Sequence, residues 1–166
     1  MGNQLVWNNR YNLGIEIIDK EHKKLFSILN KLFDFGQQKD KSQWVCQEAV
    51  KYFKDHTVQH FIDEEAYMAS IDYEGLDIHR RIHKNFRETT LLALEKELNA
   101  TNYSEDAVNH FLGVCAGWLI GHTMIDDYAI VSGETVKQWE NLLPDEEQAV
   151  MGQAIISWLY TMFQLN

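Results

Sequence analysis

Apolar side chains recur at intervals of three and four along most of this chain, the period of a helix with one buried face. His22, Leu25, Leu29 and Leu32 form one such row, which predicts a helix from an N-cap at Asp19 to about Gln38. Lys39, Asp40 and Lys41 break it. Ser42 can cap a second helix, whose inward row runs Val45, Ala49, Phe53 (or Tyr52), His56, His60, Glu64 and Met68. Ser70 to Gly75 reads as a turn, and His79, His83, Phe86, Thr90, Leu94 and Leu98 mark a third helix. After a loop from Asn99 to Tyr103, Ser104 caps a fourth, with Val108, Phe111, Cys115, Trp118, His122 and Ile125 inward. Four amphipathic helices joined by short loops predict an all-α, up-down-up-down four-helix bundle. The first 18 residues, with Trp7, Tyr11, Leu13, Ile15 and Ile17 around Gly14, predict an extended arm packed against it.

Residues 1–131 thus read as one bundle domain and 132–166 as a C-terminal extension. Pro144, followed by three acids, starts a further helix there, with its negative charges at the positive end of the dipole. Ile155, Ile156, Trp158, Leu159, Tyr160, Met162 and Phe163 make that helix apolar on more than one side. It is expected to pack on the bundle, on a second copy, or on a downstream domain.

Composition narrows the function. One proline and nine glycines in 166 residues are too few turn signals for an all-β fold. A formal charge of −10 disfavours nucleic acid or anionic lipid as the main partner. Cys46 and Cys115 form no CxxC pair and are too few for a disulfide scaffold. No run is long and apolar enough for a membrane span, and the N-terminus lacks an export signal. Gly2 is followed by Val6 where a myristoylation signal needs Ser or Thr. Asn99 and Asn102 match the glycosylation pattern but read as a polar loop. The expectation is a reduced, cytoplasmic domain.

Seven histidines change the picture. His110 lies off the rows and reads as surface, while His22, His56, His60, His79, His83 and His122 each continue an apolar row. A single core histidine is ordinarily a neutral imidazole with one hydrogen bond. Several beside carboxylates are another matter, because each uncompensated buried charge costs on the order of several kcal/mol. His60 with Glu64, and His79 with His83, put two ligand-type side chains one turn apart on one face. Asp127 stays near the face of His122 if the helix is frayed or tightened there, and Asp126 competes at the ideal interval of four. Metal ions would neutralise the acids and engage the imidazoles. Imidazole and carboxylate without thiolate suit iron, zinc, manganese or nickel. His-Glu-x-x-His and His-Asp are absent, which excludes zincin proteases and the phosphohydrolases that use the dipeptide. Ferritin-like enzymes need Glu-x-x-His pairs, and this chain has none. Asp19 and His22 have that spacing, but Asp19 falls at a predicted helix start, where it caps.

Trp7, Asp19-Lys-Glu-His22, His60-Phe-Ile-Asp-Glu64-Glu65, His79-Arg-Arg-Ile-His83, and Trp118-Leu-Ile-Gly-His122 followed by Asp127 stand in one order at bundle spacing. In these the chain resembles the hemerythrin family and its bacterial branch, over about residues 5–130. The resemblance implies an oxo- or hydroxo-bridged pair of iron ions. His79, His83 and His122 would hold one, His22 and His60 the other, and Glu64 and Asp127 would bridge them. The family's spacing favours Asp127 over Asp126. Of the roughly twelve positions that two octahedral ions offer, this set leaves one open. Leu25, Phe26, Phe61, Phe86, Trp118 and Leu119 are expected to line the pocket, with His56 behind the ligands or in packing.

The resemblance further implies a module that binds O2, with NO or azide as other ligands, rather than an enzyme. Bacterial domains of this family are often sensory, so oxygen or redox sensing through residues 144–166 is expected, in a homodimer or toward a signalling domain. Hemerythrin domains usually end soon after the last aspartate, so this extension departs from the pattern. The alternatives are storage or carriage, and a di-iron oxidase or peroxidase, which needs substrate access and more carboxylates.

Overall fold

The computed structural model describes residues 5–36 and 43–132. The end of the first helix at Gln38, the Ser42 cap and the whole helix after Pro144 lie outside these residues. No strand occurs among the described residues. Four helical rods follow one another: α1 (Glu16–Gly36), α2 (Gln43–Ser70), α3 (Leu76–Asn85) with α4 (Leu91–Ala100), and α5 (Glu105–His122) with α6 (Tyr128–Ser132). A π turn joins α3 to α4 at Phe86–Thr90, and another joins α5 to α6 at Thr123–Asp127. α1 packs on α2 and α5, α2 on α3, and α4 on α5, the four-helix bundle expected. Ser104 caps α5 as predicted, accepting from the Ala107 N–H at 3.3 Å.

The first rod begins at Glu16 rather than behind Asp19. Asp19 lies within its first turn, and its carboxylate accepts from the backbone N–H groups of Leu13 at 2.8 Å and Gly14 at 3.0 Å. It therefore caps the arm rather than the helix. Gly14 has φ +81°, a left-handed conformation that glycine enters without steric cost. The arm also clips to α1 through Asn30, which exchanges hydrogen bonds of 2.7 and 2.8 Å with the Leu5 backbone. Ile17, expected inward, is 55% exposed, and Ile18 is buried in its place.

The predicted rows drift where they advance in strict fours, since each such step overshoots a helical turn by about 40°. In α2 the buried positions are Cys46, Val50, Phe53, Thr57, His60, Phe61, Glu64 and Met68. Val45, Ala49 and His56 are only partly buried, and Tyr52 is exposed. Thr90 yields its core place to Leu91, because the π turn adds one residue between Phe86 and the next inward position. Ile125 is turned out to 54% exposure by the second π turn. Leu29, Phe53, Leu91, Leu98, Phe111 and Leu112 fill the centre of the bundle, with Phe53 edge-on to Phe111. Both cysteines are buried free thiols. No helix among the described residues is long and apolar enough to cross a membrane.

Candidate metal centre

One end of the bundle brings together the start of α1, the end of α2, the start of α3 and the end of α5. Each contributes a histidine that its helix turns inward: His22 from α1, His60 from α2, His79 and His83 from α3, and His122 from α5, all at most 2% exposed. Glu64 and Asp127 are fully buried among them. Their ligand atoms form two groups, one of Glu64, His79, His83 and His122, the other of His22, His60, Glu64 and Asp127.

The distances show how the groups join. The Nε2 atoms of His83 and His122 face each other at 3.0 Å, and those of His22 and His60 at 3.1 Å. Glu64 Oε2 lies 3.1 Å from His79, 3.2 Å from His83, and 3.9 Å from both His122 and His60. Asp127 puts Oδ1 3.0 Å from His122 and 3.3 Å from His79, and Oδ2 3.1 Å from His22. One carboxylate therefore reaches both groups with separate oxygens. The second π turn makes this possible, because five residues complete a turn there and Asp127 lands above His122. The helix is widened at that point, not frayed or tightened.

The chemistry of the set fits a cation. Both oxygens of Asp127, Glu64 Oε1, and the Nδ1 atoms of His22 and His79 are buried without a hydrogen bond of acceptable geometry. Polar groups left so are costly unless something else engages them. Burial opposes ionisation of Glu64, as does the neighbouring Asp127 charge, yet hydrogen bonds from His122, His79 and His83 hold its carboxyl well below the usual range. Asp127 is likewise held low against burial, chiefly by the charge of His122. Burial disfavours the imidazolium of His122, but the Asp127 charge and the bond to Asp126 outweigh it and raise its pKa well above the ordinary value. Burial wins at His83, which is lowered. Metal ions binding neutral imidazole and ionised carboxylate would resolve these opposed charges.

A ring of aromatics backs the set. Phe61 stacks on His83 at 3.8 Å, and Trp118 stacks on His122 at 4.3 Å and on Phe86 at 3.8 Å. On the α1 side Trp7 packs edge-on to Phe26 at 5.2 Å, with its ring 6.4 Å from His22. Leu25 and Leu119 are buried in the same core, while Trp7 and Trp118 are partly open. His56 is not brought to the site. Its ring rests 4.2 Å from Tyr52, and its Nδ1–H donates to the Tyr52 carbonyl at 3.2 Å. The reason is the drift described for α2, which turns position 56 off the face of His60. His110 pairs with Glu97 at 2.7 Å, away from the centre.

Three further acids touch the site from outside. Glu21 accepts from His60 Nδ1 at 3.0 Å, Glu65 from His83 Nδ1 at 2.9 Å, and Asp126 from His122 Nδ1 at 2.8 Å. Sequence reasoning assigns them no such contact. Their one signal is position, since each is the chain neighbour of an inward ligand-type residue.

Fold and site together define an all-helical bundle protein with a buried histidine–carboxylate metal centre. The family profile described as Hemerythrin HHE cation binding domain matches residues 13–132. The chain is 32% identical over 126 residues to a bacteriohemerythrin of Clostridium acetobutylicum, covering 74% of this chain and 95% of that one. It is 29% identical over 127 residues to a bacteriohemerythrin of Pseudomonas aeruginosa, covering 76% and 79%. A myohemerythrin of Theromyzon tessulatum is 34% identical over 109 residues, 64% of this chain and 84% of the relative. The chain belongs to the hemerythrin family, whose members bind a di-iron centre.

Proposed function

We propose that this chain is a non-haem di-iron protein that binds O2 reversibly. The observation that carries the reading is the joining of two buried ligand groups through Glu64 and Asp127. In it, His79, His83 and His122 would hold one iron and His22 and His60 the other, with Glu64 and Asp127 shared between the two groups. When bound, the ferrous pair supplies the electrons that O2 takes up. With three imidazoles on one side and two on the other, the set would leave room for one further ligand, a diatomic molecule or azide.

The protein's own residues govern water and protons. Leu25, Phe26, Phe61, Phe86 and Leu119, with Trp118 at the edge, form an apolar shell that restricts polar access and so protects the reduced state. Glu64 and Asp127 are held ionised by the surrounding imidazoles, so neither is poised to hand a proton to a substrate. This favours binding over turnover. Asp127 lies on the rod that ends at Ser132, close in the chain to residues 133–166. This closeness of centre and extension in the chain is what an oxygen- or redox-sensing use would require.

Iron and O2 counted on anaerobically reduced protein test the reading. The expected result is two irons per chain and one O2 per pair, both lost in His83→Ala. Steady peroxide or substrate turnover well above that of free iron would favour an oxidase or peroxidase instead.

A further inference from the structure

We infer that Glu21, Glu65 and Asp126 are positioning residues that orient the imidazoles of His60, His83 and His122 before any metal arrives. The inference deepens the proposed di-iron reading and rests on it for the identity of the metal. A carboxylate accepts hydrogen bonds, so an imidazole that pairs through Nδ1 carries its proton there and turns the Nε2 lone pair away. In all three cases Nε2 is the atom that faces the buried groups.

The arrangement follows from helix geometry. Neighbours in a helix point about 100° apart, so a residue next to an inward ligand stands at the flank of the bundle. Glu21 precedes His22, Glu65 follows Glu64, and Asp126 precedes Asp127. From the flank Glu21 reaches from α1 to His60 of α2, and Glu65 from α2 to His83 of α3. Asp126 bonds His122 within its own rod. The three are 24%, 26% and 24% exposed, at the boundary between core and solvent. Glu65 is itself braced by Arg80 at 3.5 Å. Among the described residues, His22 and His79 have no acceptor at Nδ1, and so provide an internal contrast.

Histidine nitrogen NMR on the metal-free protein, with ferrous iron retention against a chelator, tests this. In the wild type, His60, His83 and His122 are each expected to keep a proton fixed on Nδ1, with His22 and His79 not so fixed. Glu65→Leu should release that constraint at His83 and weaken iron binding about 10–100-fold, the usual effect of losing an outer partner. Glu65→Gln, which keeps an acceptor oxygen, should hold the His83 form and lose less iron. Glu88→Gln, on a surface acid paired with Arg87, should match the wild type. The inference is overturned if the Glu65 variants retain iron like the wild type and His83 keeps its Nδ1 proton in Glu65→Leu. If the wild type takes up no iron, the di-iron reading fails, while the NMR result still decides the orientation of the imidazoles.

Discussion

Asp127 offers one oxygen to His122 and His79 and the other to His22, a reach that no neighbouring side chain reproduces. Asp127→Ala should therefore cost the paired iron centre, whereas Asp126→Asn should leave both irons bound more weakly; iron per chain after gel filtration separates the two. Protons act on the same groups. Glu64 and Asp127 titrate below their ordinary values of 4.5 and 3.8, so the stability they contribute is lost as pH falls through their folded values. His122 titrates well above its ordinary 6.5, so its contribution is lost as pH rises from there through its raised value. His83, shifted down, offsets part of that. The metal-free protein should thus be most stable between about pH 4.5 and 6.5, by urea midpoint. With iron bound, protons compete with metal for the imidazoles, and the maximum should move to higher pH. Six of the seven inward residues are legible in the sequence because their spacing repeats a helical face, and Asp127 only through the family's motif spacing. The outer acids are not, since a surface glutamate that bonds a histidine looks in sequence like one that bonds water.

The π turns explain where periodicity misleads. A row of inward residues advances by three or four in an α-helix, but by five across Phe86 to Leu91 and His122 to Asp127. No pattern of residue types announces the extra residue, so periodicity alone places Thr90 and Ile125 inward. The motif spacing of the family resolves Asp127 against Asp126, which helical geometry does not. Deleting Ile125 would remove the extra residue and rotate Asp127 and α6 by about 100°. Far-UV circular dichroism should then keep its helical signal while iron content falls; unchanged iron would mean that the π turn does not position Asp127. The start of α1 departs from its sequence expectation for a related reason. Asp19 has the sequence of a cap and does cap backbone N–H groups, but those of the arm behind it.

Bundle and centre depend on each other. The core supplies the rods that hold the histidines in place, and the centre leaves seven buried polar side chains for iron to satisfy. Phe111→Ala, far from the ligands in sequence and fully buried, should cost about 3–5 kcal/mol in urea unfolding without changing iron stoichiometry. Removing iron should lower Tm, as loss of any ligand of the folded state does. The architecture is legible from amphipathic rows alone, because four helices with one apolar face each have few other ways to bury it. The central claim is reversible O2 binding at a water-poor pair of irons. Visible absorption of the anaerobically reduced, iron-counted protein tests it most directly as O2 is admitted and then withdrawn. A charge-transfer band should appear with O2 and vanish on its removal, over repeated cycles. Prompt conversion to a stable diferric spectrum, with no band that O2 removal reverses, would contradict it.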